Sequence, residues 1–303
     1  MDYESMILLT QDSFYLCCMT RLQLIKQIKE KQSYLCVGLD TDITKLPNHL
    51  QGKTNAVIEF NKTIIDATKD FCVSYKINTA FYESQGLKGW EAMEATLQHI
   101  PSTHFTIADA KRGDIGNTSA QYAKTFFEVL PFDAITVAPY MGEDSVRPFL
   151  EYEHKVTIVL GLTSNSGSND FQQLFLSPHN ESLTMVPHIT QGNTEKRLYE
   201  HVLERVASWG TPDNLMFVIG ATRASDLENI RSIIPAHFLL VPGIGAQGGS
   251  LAEVSKYGLN KDAGLLVNAS RAIIFASDGE DFAESARKVA KEYHDEMKKY
   301  LDV

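Results

Sequence analysis

Cysteine is scarce, and what there is carries no redox or metal motif. Cys17, Cys18, Cys36 and Cys72 include no Cys-x-x-Cys pair. Cys36 and Cys72 sit in apolar, strand-like runs, so buried reduced thiols are expected and a disulfide framework is not. Nine histidines are scattered without His-Glu-x-x-His or any paired ligand spacing, so no bound metal is expected. No apolar run approaches the ~18 residues needed to cross a bilayer. Positive charge is not in excess: 28 Lys and Arg stand against 38 Asp and Glu, a formal net charge of −10. A field of that sign argues against nucleic acid or an anionic membrane as partner. It leaves room for a small anionic substrate if cations are gathered in one pocket. There is also no low-complexity linker or break in composition, so one domain is expected.

What is present is an ordinary globular balance, 44% hydrophobic and 22% charged over 303 residues. The first eighteen residues hold apolar clusters (Ile7 to Leu9, Phe14 to Cys18), but Asp2 and Glu4 replace the basic start of a signal peptide. They are expected to be an unstructured extension, with Met19 a candidate native start and residues 19–303 the folded domain.

From there the chain alternates. Leu22, Ile25 and Ile28 recur at helical spacing. They are followed by a short apolar run, Tyr34 to Asp40, and a helix over 55–71. Strands at 73–78, 104–111, 133–140 and 156–163 alternate with helices at 86–100, 118–130 and 144–152. A long polar loop from Ser164 to Asn193 carries a small helical piece near 171–175. Helices at 194–209, 225–234, 250–257 and 282–300 then alternate with strands at 215–219, 237–242 and 264–269. The strands are apolar on both faces, which suits a parallel sheet covered by helices. Eight strand-then-helix units close naturally into a (β/α)8 TIM barrel, an α/β fold of about 250 residues. A doubly wound open sheet is the rival, but it usually has fewer strands and needs a switch point.

The polar exceptions fall at the C-terminal ends of the strands: Asp40, Lys76 with Asn78, Asp109 with Lys111, Thr163 with Ser164, Gln247 and Arg271. In barrels that end carries the chemistry. The densest stretch is Ile107-Ala-Asp109-Ala-Lys111-Arg-Gly-Asp114-Ile-Gly-Asn-Thr118. Residues two apart in a strand face the same way, so Asp109 and Lys111 should project together. Gly113 permits a sharp bend, after which Asp114 can approach the pair or reach toward a neighbouring chain. Thr118 with Gln121 reads as a capping box, which would start the next helix.

Gly243-Ile-Gly-Ala-Gln247-Gly-Gly follows the seventh strand and Ser270-Arg271 the eighth. Barrels commonly bind phosphate there, and Arg271 can grip such a group bidentately. The run is neither a dinucleotide fingerprint nor a Walker loop. Lys76 and Lys111 invite a Schiff-base reading, but neighbouring carboxylates favour a charged ammonium over a free amine. A protonated lysine between acids suits stabilisation of a carbanion followed by proton donation. One charge pair about 4 Å apart, at an effective dielectric near 20, gives roughly 4 kcal/mol. A barrier reduction of about 8–23 kcal/mol therefore needs more than one lysine. Binding energy from a remote phosphate could supply the balance.

The stretch Asp109-Ala-Lys111-Arg-Gly-Asp114-Ile-Gly-Asn-Thr118 resembles the signature of the orotidine 5'-phosphate decarboxylase family, in its type 2 branch with Lys-Arg-Gly-Asp at the centre. Val37-Gly-Leu-Asp40, Lys76-Ile-Asn78, Thr163-Ser164-Asn165, Val241 to Gln247 and Asn268-Ala-Ser-Arg271 extend the likeness from about Leu22 to the last helix. The resemblance implies a cytoplasmic, cofactor-free barrel homodimer that converts orotidine 5'-monophosphate to UMP and carbon dioxide. It implies that Lys111 donates a proton at pyrimidine C6 and that Asp109 sits beside the departing carboxylate. Asp114 and Thr118 would enter the site from the other subunit. Lys76, Asp40 and Asn78 would surround the ribose, Ser164 and Thr163 the pyrimidine edge, and Gln247 and Arg271 the phosphate. A metal-dependent sugar-phosphate decarboxylase, in which the acids ligate magnesium, and a non-catalytic nucleotide-phosphate-binding barrel are the alternatives.

Overall fold

The structure, a computed structural model, describes residues 18–176, 196–220, 224–244 and 250–301. The expected extension before Cys18, most of the polar loop after Ser164 and Gln247 lie outside these residues.

Eight parallel strands close on themselves. They are β1 (Leu35–Leu39), β2 (Ser74–Asn78), β3 (Phe105–Arg112), β4 (Ala134–Val137), β5 (Val156–Leu162), β6 (Leu215–Ile219), β7 (Leu239–Pro242) and β8 (Leu265–Ala269). Each pairs with its sequence neighbours, and β8 returns to β1 through Leu35↔Val267 and Cys36↔Asn268. Closure leaves no free edge, which a sheet otherwise has to protect. The (β/α)8 barrel expected from the alternation is therefore the fold.

Helix α1 (Arg21–Lys31) precedes the barrel. Thr20 caps it in a reciprocal box with Gln23, and it buries Leu24, Ile25 and Ile28. The outer ring is α2 (Ala56–Thr68), α3 (Leu87–His99), α4 (Gly116–Lys124), α5 (Glu143–Leu150), α6 (Leu198–Ala207), α7 (Ala224–Ile233), α8 (Leu251–Gly258) and α9 (Phe282–Leu301). Aromatic side chains fill the space between helices and sheet. Phe60 of α2, for example, stacks on Phe275 and Phe282 with centroids 5.8 and 5.2 Å apart, which ties the last helix to the first unit.

The N-terminal end of the barrel is closed by polar groups that satisfy backbone. Asp133 accepts from the amides of Met19 and Thr106, both at 2.8 Å. The Arg231 guanidinium donates to the carbonyls of Gly258, His237 and Gly264 at 2.6, 2.6 and 2.7 Å. Such ties hold that rim fixed while the opposite rim carries loops. Among the described residues no helix is long and apolar enough to cross a membrane, and Cys18, Cys36 and Cys72 are free thiols.

Two local expectations are corrected. Helix α4 begins at Gly116, ahead of Thr118, and its N-cap Ile115 offers no side-chain hydrogen bond. The left-handed φ of Gly116, 51°, turns the chain into the helix without a capping box. In the loop after β5, the described residues hold a 3-10 segment at Ser166–Asp170, upstream of 171–175. Phe175–Leu176 instead pairs antiparallel with Lys196–Arg197, which pins the two ends of that loop together.

Candidate active site

A cavity of about 450 Å³ opens at the C-terminal ends of the strands. That is ample for a small-molecule ligand. Its lining divides sharply. Asp40, Lys76, Asn78, Asp109 and Lys111, from β1 to β3, form a charged side. Leu160, Val218, Leu240, Pro242 and Ile244, from β5 to β7, form an apolar side. Thr163, Ser164, Ser270 and Arg271 close it from the loops.

At the centre is Asp109, whose side chain is 10% exposed. Its Oδ2 accepts from Lys76 Nζ at 2.8 Å, and its Oδ1 from Lys111 Nζ at 2.5 Å. Lys76 also donates to Asp40 Oδ1 at 3.3 Å. Burial alone would push Asp109 toward the neutral acid, but the two ammonium groups outweigh it and hold the carboxyl well below its ordinary range. Burial alone would likewise strip the proton from Lys76, and Asp109 and Asp40 outweigh it, holding the ammonium above its ordinary value. The four groups form one network in which each charge compensates its neighbour.

The backbone that presents this network is not a plain strand. β3 pairs with β4 through Ala108↔Ile135 and then Arg112↔Val137, with an irregularity between. Lys111 sits in that bulge with φ at 46°, left-handed for a residue with a full side chain. Thr136, wholly buried on β4, accepts from the Lys111 amide at 2.9 Å and donates to Asp109 Oδ1 at 3.1 Å. Arg112 turns the other way: it donates to the Ala110 carbonyl at 3.1 Å, pairs with Glu83 and lies over the Tyr122 ring. The alternation rule brings Asp109 and Lys111 together as expected, but the bulge sets the final geometry.

On the opposite wall Ser270 Oγ donates to the Gly38 carbonyl at 3.0 Å and so fixes the turn that carries Arg271. Thr163 donates its amide to Gln172 Oε1 at 2.8 Å and its hydroxyl to Asn165 Oδ1 at 2.6 Å. Asn78 Oδ1 accepts from the Ala80 amide at 3.3 Å.

Of the residues singled out in the sequence, the cavity gathers Asp40, Lys76, Asn78, Asp109, Lys111, Thr163, Ser164 and Arg271. It does not gather Asp114 or Thr118. Asp114 accepts from its neighbour Ile115 at 2.8 Å, and Thr118 is exposed on α4. Sequence reasoning missed Thr136, and it gave no role to Asn268, a buried residue of the cavity wall whose Oδ1 has no partner among the described residues. The available signal for both was a polar side chain inside an otherwise apolar strand. Among the described residues no cluster of three His, Cys, Asp or Glu side chains could hold a metal ion.

The arrangement combines an apolar wall, the cation Arg271, and a buried carboxylate with an ammonium on each oxygen. Comparison with known proteins identifies the family. Residues 33–286 match the family described as orotidine 5'-phosphate decarboxylase / HUMPS. An orotidine 5'-phosphate decarboxylase of Bacteroides fragilis is 53% identical over 286 residues, covering 93% of this chain and 98% of its own. One from Flavobacterium johnsoniae is 54% identical over 287 residues, covering 94% and 99%. The solved structure of a Leishmania donovani OMP decarboxylase superposes with a TM-score of 0.77 at 34% identity, over 94% of this chain and all of its own. The chain belongs to the orotidine 5'-phosphate decarboxylase / HUMPS family.

Proposed function

We infer that this chain is a carboxy-lyase that converts orotidine 5'-monophosphate to UMP and carbon dioxide in pyrimidine synthesis. The observation that carries the reading is Asp109, ionised, nearly buried and met on each oxygen by an ammonium. A second anion in that position, the substrate carboxylate, is poorly tolerated beside it. A neutral product that leaves a developing anion on the ring carbon is favoured by the adjacent Lys111.

In this mechanism the bond from C6 to the carboxylate breaks and its electron pair stays on C6. Lys111 stabilises that charge and passes a proton to C6; water restores the proton to the amine. Lys76, Asp40 and Asn78 hold the ribose, Ser164 and Thr163 the pyrimidine edge, and Arg271 with Gln247 the phosphate. Phosphate binding also excludes water, which strengthens every charge interaction in the site. No cofactor is called for, because the charge is stabilised by groups the chain itself supplies.

The working unit in this reading is a homodimer in the cytoplasm, with Asp114 and Thr118 entering the partner's site. The support is an exposed apolar patch beside Asp114. Ile115 is 57% exposed, Tyr140 88% and Met141 46%, and Met141 reaches the loop at Gly113. Exposed side chains of that size are what a subunit interface covers.

The test is loss of orotidine monophosphate absorbance, with and without a chelator. Turnover that chelator leaves unchanged is expected. Turnover abolished by chelator would instead identify a metal-dependent decarboxylase, and UMP binding without turnover a mere binding protein.

A further inference from the structure

We propose that Thr136 is a positioning residue for the decarboxylation, setting Asp109 and Lys111 relative to one another through a single hydroxyl. The proposal rests on the reading that those two side chains do the chemistry.

The hydroxyl has one proton and uses it on Asp109 Oδ1, 3.1 Å away. Its lone pair takes the Lys111 amide proton at 2.9 Å. One side chain from β4 thus touches the carboxylate of one reacting group and the backbone of the other. Thr136 is wholly buried, so water does not replace either contact.

The second contact falls where the backbone most needs one. Lys111 is held at a φ of 46°, a conformation strained for a residue with a Cβ, which persists only when its surroundings enforce it. The regular β3–β4 pairing lapses between Ala108 and Arg112, so the ladder does not enforce it there. Beyond the lapse it resumes at Arg112↔Val137. The Thr136 hydroxyl therefore stands in for the missing ladder bond at Lys111. It holds the Lys111 backbone in the bulge that sets its ammonium 2.5 Å from Asp109 Oδ1.

The first contact completes the carboxylate. Asp109 Oδ2 is fixed by Lys76 at 2.8 Å. Oδ1 has Lys111 and Thr136. When the Lys111 ammonium gives its proton to a ring carbon, Thr136 remains on Oδ1 and keeps the carboxylate from rotating. Only groups held close to the reacting geometry accelerate the step, and displacement of about 1 Å can cost on the order of a hundredfold.

The closing experiment compares Thr136→Val, which keeps the shape and removes the hydroxyl, with Thr136→Ser, which keeps the hydroxyl. Kinetics on orotidine monophosphate are measured beside thermal melting and UMP affinity. Thr136→Val is expected to lower kcat by about tenfold to a hundredfold. KM and UMP affinity should stay within about twofold, and Thr136→Ser should restore most of the rate. Hydrogen exchange at the Lys111 amide should speed up in the Val variant alone. If Val disturbs folding, Thr136→Ala takes its place. A folded Val or Ala variant at the parental kcat overturns the proposal, as does a Ser variant no better than Val. Lys111→Ala is run in parallel. If it keeps full activity, the reading of the site fails; if it is inactive while Thr136→Val is not, only the role of Thr136 fails.

Discussion

Lys76 Nζ lies 2.8 Å from Asp109 Oδ2 and 3.3 Å from Asp40 Oδ1, with its side chain only 5% exposed. It is the common counter-charge of two carboxylates that otherwise face each other inside the barrel. Replacing it by the similarly sized, neutral methionine leaves Asp40 without this counter-charge and Asp109 with Lys111 alone. Removing one partner of a buried pair typically costs about 3–5 kcal/mol. Lys76→Met should therefore lower stability by roughly 3 kcal/mol in chemical denaturation at neutral pH, and abolish most turnover. The loss should shrink in acid. In the parent the Asp109 pKa is depressed, so its contribution is present above the ordinary carboxylate range and disappears as pH falls through the depressed value. A variant as stable as the parent at pH 7 would contradict this account of the network.

Asp114 offers a different kind of test, because it does not line the cavity of its own chain. Lys111→Ala and Asp114→Ala should each be almost inactive alone. In the homodimer proposed above, equal mixing with subunit exchange makes half the dimers heterodimers with one intact site each. Activity should then return to about a quarter of the parental value by the symmetry of a two-fold dimer. Heterodimers that form and stay inactive would place Asp114 outside the neighbouring site.

Much of this architecture was legible because its signals are local. Parallel strands buried on both faces read as continuous apolar runs, and the polar interruptions at strand ends from Asp40 to Ser164, with Arg271, line one cavity at that rim. The positions that were not legible depend on contacts between distant segments. Thr136 is one polar residue in Ala134-Ile-Thr-Val137, and nothing near it in sequence says that its hydroxyl meets a bulge on the adjacent strand. The left-handed turn at Lys111 has no sequence signature, since lysine is not a residue that prefers it. The start of α4 was misplaced because Thr118 and Gln121 match a capping box, while the turn is made two residues earlier by Gly116.

Acid should destabilise the fold through two histidines remote from the site. His104 is 4% exposed and His237 8%. Burial holds both near a pKa of about 4, with Lys31 reinforcing it at His104 and Arg21 and Arg231 at His237. The unfolded chain takes up these protons near the ordinary value of 6.5, so between 6.5 and about 4 it binds more protons than the native state. Stability must then fall as pH falls through that window, by on the order of 3 kcal/mol per histidine at its lower end. Both ring nitrogens of His237 lack partners among the described residues. Replacing an unpartnered buried polar group by an apolar one costs little, so His237→Leu should keep neutral-pH stability within about 1 kcal/mol. It should also flatten the acid limb of the denaturation profile, and an unchanged acid limb would show that this histidine is already charged in the native protein.

Gly38 is a tight steric position beside the turn proposed to hold the phosphate. A Cβ added there would stand 2.8 Å from Ser270 Cβ and 3.0 Å from Asn268 Oδ1. Ser270 Cβ is bonded directly to the backbone, so it cannot swing aside as the tip of a long side chain would. Gly38→Ala must therefore displace the β8 turn that precedes Arg271, breaking the 3.0 Å bond from Ser270 Oγ to the Gly38 carbonyl. Overpacking of this kind costs about 1–3 kcal/mol, and here the strain falls on the segment assigned to the phosphate. The expected result is a protein that still folds but whose kcat/KM for orotidine monophosphate drops by about tenfold or more, in line with a loss of about 1.4 kcal/mol or more of binding. Inorganic phosphate should lose potency as a competitive inhibitor by a similar factor. If kcat/KM falls while phosphate inhibition is untouched, the β8 turn serves the ring and ribose, and Arg271 is not what holds the phosphate.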